Sequence, residues 1–311
     1  MSLPRLAVSI GDPNGVGPEI ALRTHPQIAD VCHPYYCVDP EVMAEAASLL
    51  GMQLPDDFNM VPLGLPVAIK PGCVTADAGR YSHASFVKAI ALTEAGETDA
   101  IVTLPIHKEA WMQAGITYKG HTDLLRDHFE QEAIMMLGCN QLYVALFTEH
   151  VPLKEVPAKI ERNALARFLV DLYRATGFDD MAVLGLNPHA GDNGVLGDEE
   201  REIEAAIALA NDTIATKGFK CDGRPFFGPV VPDAAFTPTF RSVHRHIVAM
   251  YHDQGLAPLK ALYFDESVNI SLNLPIVRTS VDHGTAFDIA YRGKARLNSY
   301  RNAVDTALRL L

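Results

Sequence analysis

Residues 247–290 read IVAMYHDQGLAPLKALYFDESVNISLNLPIVRTSVDHGTAFDIA. Their first residues, Ile247–Met250, form an apolar run that is typical of a fully buried strand. His252, Asp253 and Gln254 follow at the point where such a strand ends. Ligands of open parallel α/β proteins bind beyond the carboxyl ends of the strands. The stretch therefore predicts that ligand-binding or catalytic side chains lie at the end of this strand.

The same pattern recurs along the chain, because apolar runs alternate with longer helical segments. The predicted strands are Leu6–Ile10, Ala100–Leu104, Leu142–Phe147, Met181–Leu186 and Ile247–Met250. The predicted helices are Pro18–Arg23, Ser82–Ala95, Asn163–Thr176, Glu199–Lys217 and Ser299–Leu310. This alternation favours a mostly parallel α/β sheet. A chain of 311 residues is long enough for roughly two domains of ordinary size.

The composition is that of an ordinary globular protein, with 48% apolar and 21% charged residues. No apolar run approaches the roughly 20 residues of a membrane span, and the N-terminal segment resembles a strand more than a signal peptide, so we expect a cytoplasmic protein. The five cysteines form no CxxC pair and are expected to be free thiols: Cys32, Cys37, Cys73, Cys139 and Cys221. The net charge of -12 disfavours nucleic-acid binding, so a local cluster must hold any anion.

Histidines follow four of the five predicted strands, at His107, His150, His189 and His252. Neutral imidazole is the commonest metal ligand in proteins, and three protein ligands with open positions are typical of catalytic metal sites. We therefore predict that His150, His189 and His252 bind one divalent metal. For any single histidine, a simple hydrogen-bonded position at a strand end is the alternative.

Two glycine-containing turns precede predicted helices. GDPNGVGPE lacks the register of a Rossmann turn and of a P-loop, so it is either a structural turn or a substrate contact through Asp12 or Asn14. KGHTD, residues 119–123, leads into a second helix that Thr122 could cap. His121 and Thr122 there are anion-site candidates, with capping alone as the alternative. Further anion contacts are expected in loop-like sequence at Lys260, Asn269 and Arg278.

Together these segments resemble the 4-hydroxythreonine-4-phosphate dehydrogenase family of pyridoxal phosphate synthesis. The resemblance lies in ordered motifs along essentially the whole chain, namely GDPNGVGPE, PIHK, GHTD, NPHAGDNG, YHDQGLAPLK, VNISLNLP and RTSVDHGTAFD. It implies that the divalent-metal ligands are His150, His189 and His252. It implies that the substrate contacts are His121, Thr122, Lys260, Asn269 and Arg278. It also implies a homodimer whose active site is shared between subunits.

The resemblance further implies two α/β/α domains, similar to the isocitrate and isopropylmalate dehydrogenase fold, with the active site in the cleft. We place the first domain at 1–125 with 265–311, and the second at 126–264. Those relatives bind the adenine ribose with an HGSAPDIAG-type loop, which HGTAFDIAY resembles at His283, Gly284 and Asp288. The expected cofactor is NAD or NADP, and Asp288 favours NAD, because a carboxylate accepts from the ribose 2′-OH and repels a 2′-phosphate.

The implied reaction is the oxidation of 4-phosphooxy-L-threonine at C3, followed by decarboxylation to 3-amino-2-oxopropyl phosphate. A Zn, Mg or Co ion would assist both steps. Asp233, in GPVVPDAAF, and Lys260 are alternative candidates for the general base. Asn273, in place of an expected glycine, and Asp123, in place of the commoner glutamate, depart from the family pattern.

Three other interpretations stay open at this point. A dehydrogenase of a related phosphorylated sugar acid, such as phosphothreonate, would keep the metal and phosphate contacts. A phosphate acetyltransferase would share the general fold without needing a nicotinamide cofactor or a metal. A non-catalytic metal-binding protein is disfavoured, because a closed structural site would want a fourth cysteine or histidine.

Overall fold

The computed structural model describes residues 3–219 and 223–311. Unit 1 comprises Met1–Gln131, Val268–Ile270 and Leu274–Leu311, and unit 2 comprises Glu132–Ser267 and Ser271–Asn273. Both units are mixed α/β structures, which confirms the predicted fold class. Cys32, Cys37, Cys73 and Cys139 are free thiols, whereas Cys221 lies outside the described residues. Across residues 3–219 and 223–311, every helix is too short or too polar to cross a bilayer.

Unit 1 is built on a parallel sheet with the strand order β3-β2-β1-β4-β11. Its strands are β1 (Arg5–Ser9), β2 (His33–Cys37), β3 (Met60–Val61), β4 (Ala100–Thr103) and β11 (Arg278–Val281). Its helices are α1 (Gly17–Ile28), α2 (Pro40–Leu50), α3 (Ala76–Glu94), α4 (Lys108–Gln113), α5 (His121–Phe129) and α12 (Asn298–Leu310). Strand β10 (Val268–Leu272) contributes Val268–Ile270 to this unit.

The core of unit 1 forms where α3 and α4 pack beside the sheet. Phe86 and Ile90 of α3 and Trp111 of α4 are fully buried in one apolar cluster with Ile101 of β4. Gly79 allows the two helices to approach closely, because a Cβ atom there would clash with the Ala110 carbonyl group. The buried Trp111 indole donates from Nε1 to Ser82 Oγ at 2.8 Å, so its polar atom is satisfied.

Unit 2 contains a second set of strands in the order β5-β6-β9-β7-β8. Its strands are β5 (Ile134–Cys139), β6 (Leu142–Leu146), β7 (Met181–Leu184), β8 (Phe226–Val230) and β9 (His246–Ala249). Its helices are α6 (Val156–Lys159), α7 (Arg162–Thr176), α8 (Glu199–Thr216), α9 (Pro232–Ala235), α10 (Pro238–Val243) and α11 (His252–Tyr263). Only β5 and β6 pair in antiparallel fashion among the described strand pairs of this unit.

The three central strands of unit 2 place their carboxyl ends side by side. Strand β9 pairs in parallel with β6 on one side and with β7 on the other. These strands are buried on both faces, which explains their nearly continuous apolar sequences. Gly255 lets the start of α11 lie directly on them, because a Cβ atom there would clash with Val144 and Ala249. Residues that follow β6, β9 and β7 therefore share one edge of the sheet.

Candidate active site

Three histidines, His150, His189 and His252, follow β6, β7 and β9 of unit 2, and we call them the histidine edge. Because the three strands are parallel neighbours, the loops that carry these residues leave the same edge of the sheet. The rings of His150 and His252 have their centroids 5.6 Å apart. His150 and His189 are exposed, and His252 is half-buried. The edge thus presents accessible imidazoles.

His252 is oriented by its neighbour in the sequence. Its Nδ1 lies 2.7 Å from Asp253 Oδ1. A carboxylate can only accept a hydrogen bond, so Nδ1 is the donor, and in the neutral ring Nε2 then has its lone pair free for a ligand. This carboxylate–imidazole arrangement is common beside metal-bound histidines, because it fixes the ring tautomer and raises its basicity.

His189 lies in a left-handed turn. Positive φ angles run through His189, Ala190, Gly191, Asp192 and Asn193, a conformation that L-residues adopt at a cost. Neighbouring chain segments hold this turn, because the Ala190 N–H donates to the Asn187 carbonyl oxygen at 3.1 Å and the Leu196 N–H to the Gly191 carbonyl oxygen at 3.0 Å.

A buried carboxylate anchors the entry to that turn. Glu200, in the first turn of α8, accepts the backbone N–H groups of Leu186 and Asn187 on Oε1 at 2.9 and 2.7 Å. Its Oε2 accepts from Asn187 Nδ2 at 3.0 Å. Asn187 Nδ2 also donates to Glu199, and this bond lowers the pKa of the Glu199 carboxyl group. The strained turn is therefore held at its base by hydrogen bonds to α8.

The donor chemistry of the histidine edge fits a divalent cation, and the chain brings two of its three rings close together. No three histidine, cysteine or carboxylate side chains form a metal-binding group within the part of the chain that the structure describes. The described residues thus bring the rings of His150 and His252 together without a complete set of three metal ligands.

The two candidate bases differ in their surroundings. Asp233 lies in α9 and is exposed. Lys260 lies in α11 and is half-buried, and its Nζ is 5.9 Å from the centroid of the Phe264 ring. This distance is typical of a cation–π contact, which holds the ammonium group over an apolar surface.

A buried pair of basic side chains lies in unit 1. Burial lowers the pKa of the Arg278 guanidinium to about 9, and Arg278 Nη2 donates to Thr103 Oγ1 at 2.6 Å. Burial, followed by the nearby charge of Arg278, lowers the pKa of His121 well below its usual value. His121 is therefore a neutral imidazole beside a desolvated cation. A bound anion would compensate that cation.

His121 is packed against aromatic rings and has an unsatisfied atom. Its ring contacts those of Phe86 and Trp111 edge-on, with centroid distances of 4.6 and 5.9 Å. Its Nε2 is buried and has no hydrogen-bond partner among the described residues. The same is true of Asn269 Oδ1. Both atoms are available to a polar ligand.

The alternative in which Thr122 caps helix α5 is not found in the structure. Helix α5 begins at His121, Gly120 occupies the N-cap position, and no side chain caps the helix. Thr122 is the second helical residue, so its backbone N–H belongs to the unsatisfied first turn. Asp123 Oδ2 instead accepts the Lys119 N–H at 3.0 Å and closes the preceding turn.

The predicted nucleotide loop of unit 1 carries His283, Gly284 and Asp288. Gly284 and Asp288 are exposed, whereas His283 Nε2 is buried without a partner among the described residues. The loop is anchored on GDPNGVGPE, since the Val16 N–H donates to the Thr285 carbonyl oxygen at 3.0 Å. Tyr291, at φ 60°, donates from its hydroxyl to the Pro13 carbonyl oxygen at 2.6 Å.

The structure supports the structural interpretation of Asn14. Its Oδ1 accepts the Lys70 N–H at 2.7 Å, and its Nδ2 donates to the Cys73 carbonyl oxygen and to Thr75 Oγ1 at 2.8 and 3.2 Å. The side chain thus ties residues 70–75 to the GDPNGVGPE turn.

Asn273, which departs from the family pattern as Asp123 does, adopts φ 60° and donates from Nδ2 to the Glu132 carbonyl oxygen at 2.9 Å. That conformation is one that asparagine tolerates.

Two further residues, to which the sequence assigned no role in the site, contact the predicted loops. His107 stacks on Phe287 of the nucleotide loop, with ring centroids 4.8 Å apart and an interplanar angle of 10°. Glu200 supports the His189 turn from α8. The only signal in the sequence was the position of each residue, His107 at a predicted strand end and Glu200 in the first turn of a predicted helix.

Comparison with known proteins shows the family of the chain. The model of the family "Pyridoxal phosphate biosynthetic protein PdxA" matches residues 30–307. The chain is 54% identical to the 4-hydroxythreonine-4-phosphate dehydrogenase of Sulfurimonas denitrificans, covering 100% of this chain and 99% of that protein. It is 51% identical to that of Campylobacter fetus, with the same coverage. The crystal structure of the Klebsiella pneumoniae 4-hydroxythreonine-4-phosphate dehydrogenase superposes with a TM-score of 0.82 at 33% identity, covering 100% and 98% of the two chains. The chain therefore belongs to the pyridoxal phosphate biosynthetic protein PdxA family.

Proposed function

We propose that the protein oxidises 4-phosphooxy-L-threonine at C3 with NAD or NADP, and that decarboxylation to 3-amino-2-oxopropyl phosphate follows. The chain is an oxidoreductase of pyridoxal phosphate biosynthesis. The observation that carries this proposal is the 54% identity to a 4-hydroxythreonine-4-phosphate dehydrogenase over the whole chain. The geometry of both units supports it, because each contains polar groups that suit one part of such a reaction.

The anionic groups of the substrate are assigned to residues that can supply cations and donors. In unit 1, Arg278 is a buried cation, His121 and Asn269 have unsatisfied buried atoms, and Thr122 lies in the open first turn of α5. In unit 2, Lys260 is assigned to the same role as a further cation. Phosphate and carboxylate are bound strongly by such groups, because charge-assisted hydrogen bonds form in a desolvated environment.

A divalent cation, Zn, Mg or Co, is assigned to His150, His189 and His252. When bound, it would supply Lewis-acid polarisation of the substrate oxygen at C3. Asp253 prepares His252 for this role by keeping the proton on Nδ1. The protein's own base, Asp233 or Lys260, would take the C3 hydroxyl proton.

The nucleotide is assigned to His283, Gly284 and Asp288. Asp288 is exposed, so its carboxylate can accept a hydrogen bond from the 2′-OH of an adenine ribose. The same carboxylate would repel a 2′-phosphate, which favours NAD over NADP. We also propose a homodimer in which the active site is shared between subunits.

Steady-state kinetics with 4-phosphooxy-L-threonine test the proposal. Reduction of NAD is expected to be faster than that of NADP, to be lost after treatment with a chelator, and to return when a divalent cation is added. In Asp288→Ala the preference for NAD should weaken, with the rest of the site intact. Phosphothreonate and acetyl-CoA serve as comparison substrates. Faster turnover of either, or full activity in a verified metal-free protein, would reject the proposal.

A further inference from the structure

His107 is the fourth histidine at a predicted strand end, and it is not assigned to the metal. It lies between β4 and α4 of unit 1, at the N-cap position of α4, where its carbonyl oxygen accepts the Trp111 N–H at 3.1 Å. Two residues earlier, the Pro105 carbonyl oxygen accepts the Asp12 N–H at 2.8 Å. The backbone is therefore held by hydrogen bonds on both sides of His107, and its side chain projects from a firmly fixed part of the chain.

The ring of His107 stacks on Phe287 of the nucleotide loop. The ring centroids are 4.8 Å apart and the interplanar angle is 10°, which is a favourable geometry for an aromatic pair. His107 Nδ1 is buried and has no hydrogen-bond partner among the described residues, so a hydrogen bond from that atom does not hold the ring. The stack thus ties the end of β4 to the nucleotide loop.

Two glycines leave room for Phe287 beside His107. At Gly15, a Cβ atom would lie 3.3 Å from Phe287 Cε1 and 2.8 Å from the Thr285 carbonyl oxygen. At Gly72, which has φ 72°, a Cβ atom would lie 2.8 Å from the Phe287 carbonyl oxygen. Phe287 therefore lies in a slot formed by the two glycines and the His107 ring.

The position of Phe287 governs that of Asp288, which follows it directly. Both residues lie in the short helical turn Phe287–Ile289, which begins after Ala286 at φ 45°. That left-handed conformation is unfavourable for an L-residue, so contacts around the turn must maintain it. Because Asp288 is exposed, burial does not fix its carboxylate. The orientation of the turn, and hence the slot around Phe287, sets where this carboxylate points.

We propose that His107 is a positioning residue for nucleotide binding, which holds Phe287 and thereby keeps the turn of Asp288 in the conformation that binds the adenine ribose. The inference rests on the proposed function, namely that His283, Gly284 and Asp288 bind the nucleotide. His107 acts through Phe287 and does not touch the nucleotide. The role therefore requires a flat aromatic ring at position 107, and not an imidazole nitrogen.

Calorimetric titration of the full-length protein with NAD tests this role. His107→Leu replaces the ring with an apolar side chain that cannot stack. Its Kd for NAD is expected to rise by about 2–10-fold, which corresponds to the contribution of an aromatic pair. His107→Phe restores a flat ring and should bind NAD as the unaltered protein does. If His107→Phe binds NAD as weakly as His107→Leu, the imidazole itself is needed and the positioning role is overturned.

Adenosine diphosphate ribose, which lacks the nicotinamide, shows which end of the cofactor depends on His107. The stack supports the loop assigned to the adenine ribose, so the Kd for this probe should rise in His107→Leu by the same factor as the Kd for NAD. A loss of affinity with NAD alone would show that His107 acts on the nicotinamide end, and would overturn the proposal.

Phe287→Leu removes the same stack from the side of the loop. It should raise the Kd for NAD by a similar factor, and it keeps the test decisive if His107→Leu fails to fold. In steady-state kinetics both variants should raise KM for NAD with little change in kcat, because the loop binds the nucleotide equally in the ground state and in the transition state. An unchanged KM in both variants would contradict the role.

The stacked pair Tyr36 and Phe58 offers a matched control in unit 1. The ring centroids of these two buried residues are 3.8 Å apart, with an interplanar angle of 2°. Phe58→Leu should lower Tm, as His107→Leu does, but should leave the Kd for NAD unchanged. A merely structural role for His107 predicts a lower Tm and an unchanged Kd in both variants.

Asp288→Ala separates the two levels of the proposal. If the Kd for NAD rises in Asp288→Ala but is unchanged in His107→Leu and Phe287→Leu, the positioning role is overturned and the nucleotide assignment stands. If the Kd for NAD is unchanged in Asp288→Ala, the nucleotide assignment itself fails, and the positioning role fails with it.

Discussion

Asp12 is a fully buried carboxyl group. Its Oδ1 accepts the Asn14 N–H at 2.9 Å, while Oδ2 has no partner among the described residues. Burial raises the pKa of Asp12 from 3.8 to about 6. Below the lower value the group is neutral in both the folded and the unfolded chain. As the pH rises from 3.8 to about 6, the group ionises in the unfolded chain but stays protonated in the folded one, so stability falls across this range and levels off above it.

Asp12→Asn should therefore stabilise the protein more at about pH 8 than at about pH 4. The amide retains an acceptor for the Asn14 N–H and cannot ionise. It therefore removes the cost of ionising the buried carboxyl group, which the rise in its pKa sets on the order of 3 kcal/mol. Urea unfolding at the two pH values measures the difference. Asp56→Asn, at an exposed position, is the control and should have little effect at either pH. An equal change in unfolding free energy at both pH values for Asp12→Asn would contradict the prediction.

At the scale of single residues, the sequence predicted the candidate functional residues better than the contacts that those residues make in the fold. The histidines after strands were predicted from the sequence, because strand ends and residue types are local properties. The role of Asn14 was left open, because its partners at Lys70 and Thr75 are far away in the sequence and only the fold brings them together. The support of His189 by Glu200 was missed for the same reason.

The left-handed turn at His189 gives a prediction at the scale of elements. Ala190 has φ 51° and ψ 47°, a conformation that costs an L-residue about 1–2 kcal/mol and glycine very little. Glycine loses about 0.5–1 kcal/mol through the greater freedom of the unfolded chain. Ala190→Gly should therefore raise the free energy of unfolding by up to about 1.5 kcal/mol.

The same substitution in a right-handed helix should have the opposite sign. Ala91 is exposed in α3, so Ala91→Gly should lower the free energy of unfolding by about 1 kcal/mol. Denaturant unfolding of the two variants side by side gives the comparison. Destabilisation of similar size in both variants would show that the turn at Ala190 is not left-handed in solution.

The strands and long helices that were predicted from the sequence are present, but other elements of ordinary length, among them α2, α11 and β5, were not predicted. All five predicted strands are confirmed within a few residues, as are helices such as α7 and α8. The sequence did not predict β3, which has two residues, or β8, whose FFGPV sequence contains the turn-forming residues glycine and proline. The left-handed turn was not predicted either, because nothing in the residue types of His189 and Ala190 favours positive φ.

At the scale of the whole molecule, the composition of a complete metal site depends on which chain supplies each histidine. Within one chain, His150 and His252 lie together, and the described residues form no group of three metal ligands. We propose that His252 of one subunit joins His150 and His189 of the other. Subunit exchange between inactive variants tests this arrangement, because a mixed dimer can combine intact residues from both chains.

His189→Ala mixed with His252→Ala should recover activity, since one of the two sites in each mixed dimer then collects only intact histidines. His150→Ala mixed with His252→Ala should recover it for the same reason. Recovery in the first mixture alone would place His150 and His252 in the same chain of the site, with His189 supplied by the partner, and would overturn the proposed arrangement. If exchange is verified by mass and neither mixture regains turnover, all three ligands come from one chain and the shared site is rejected.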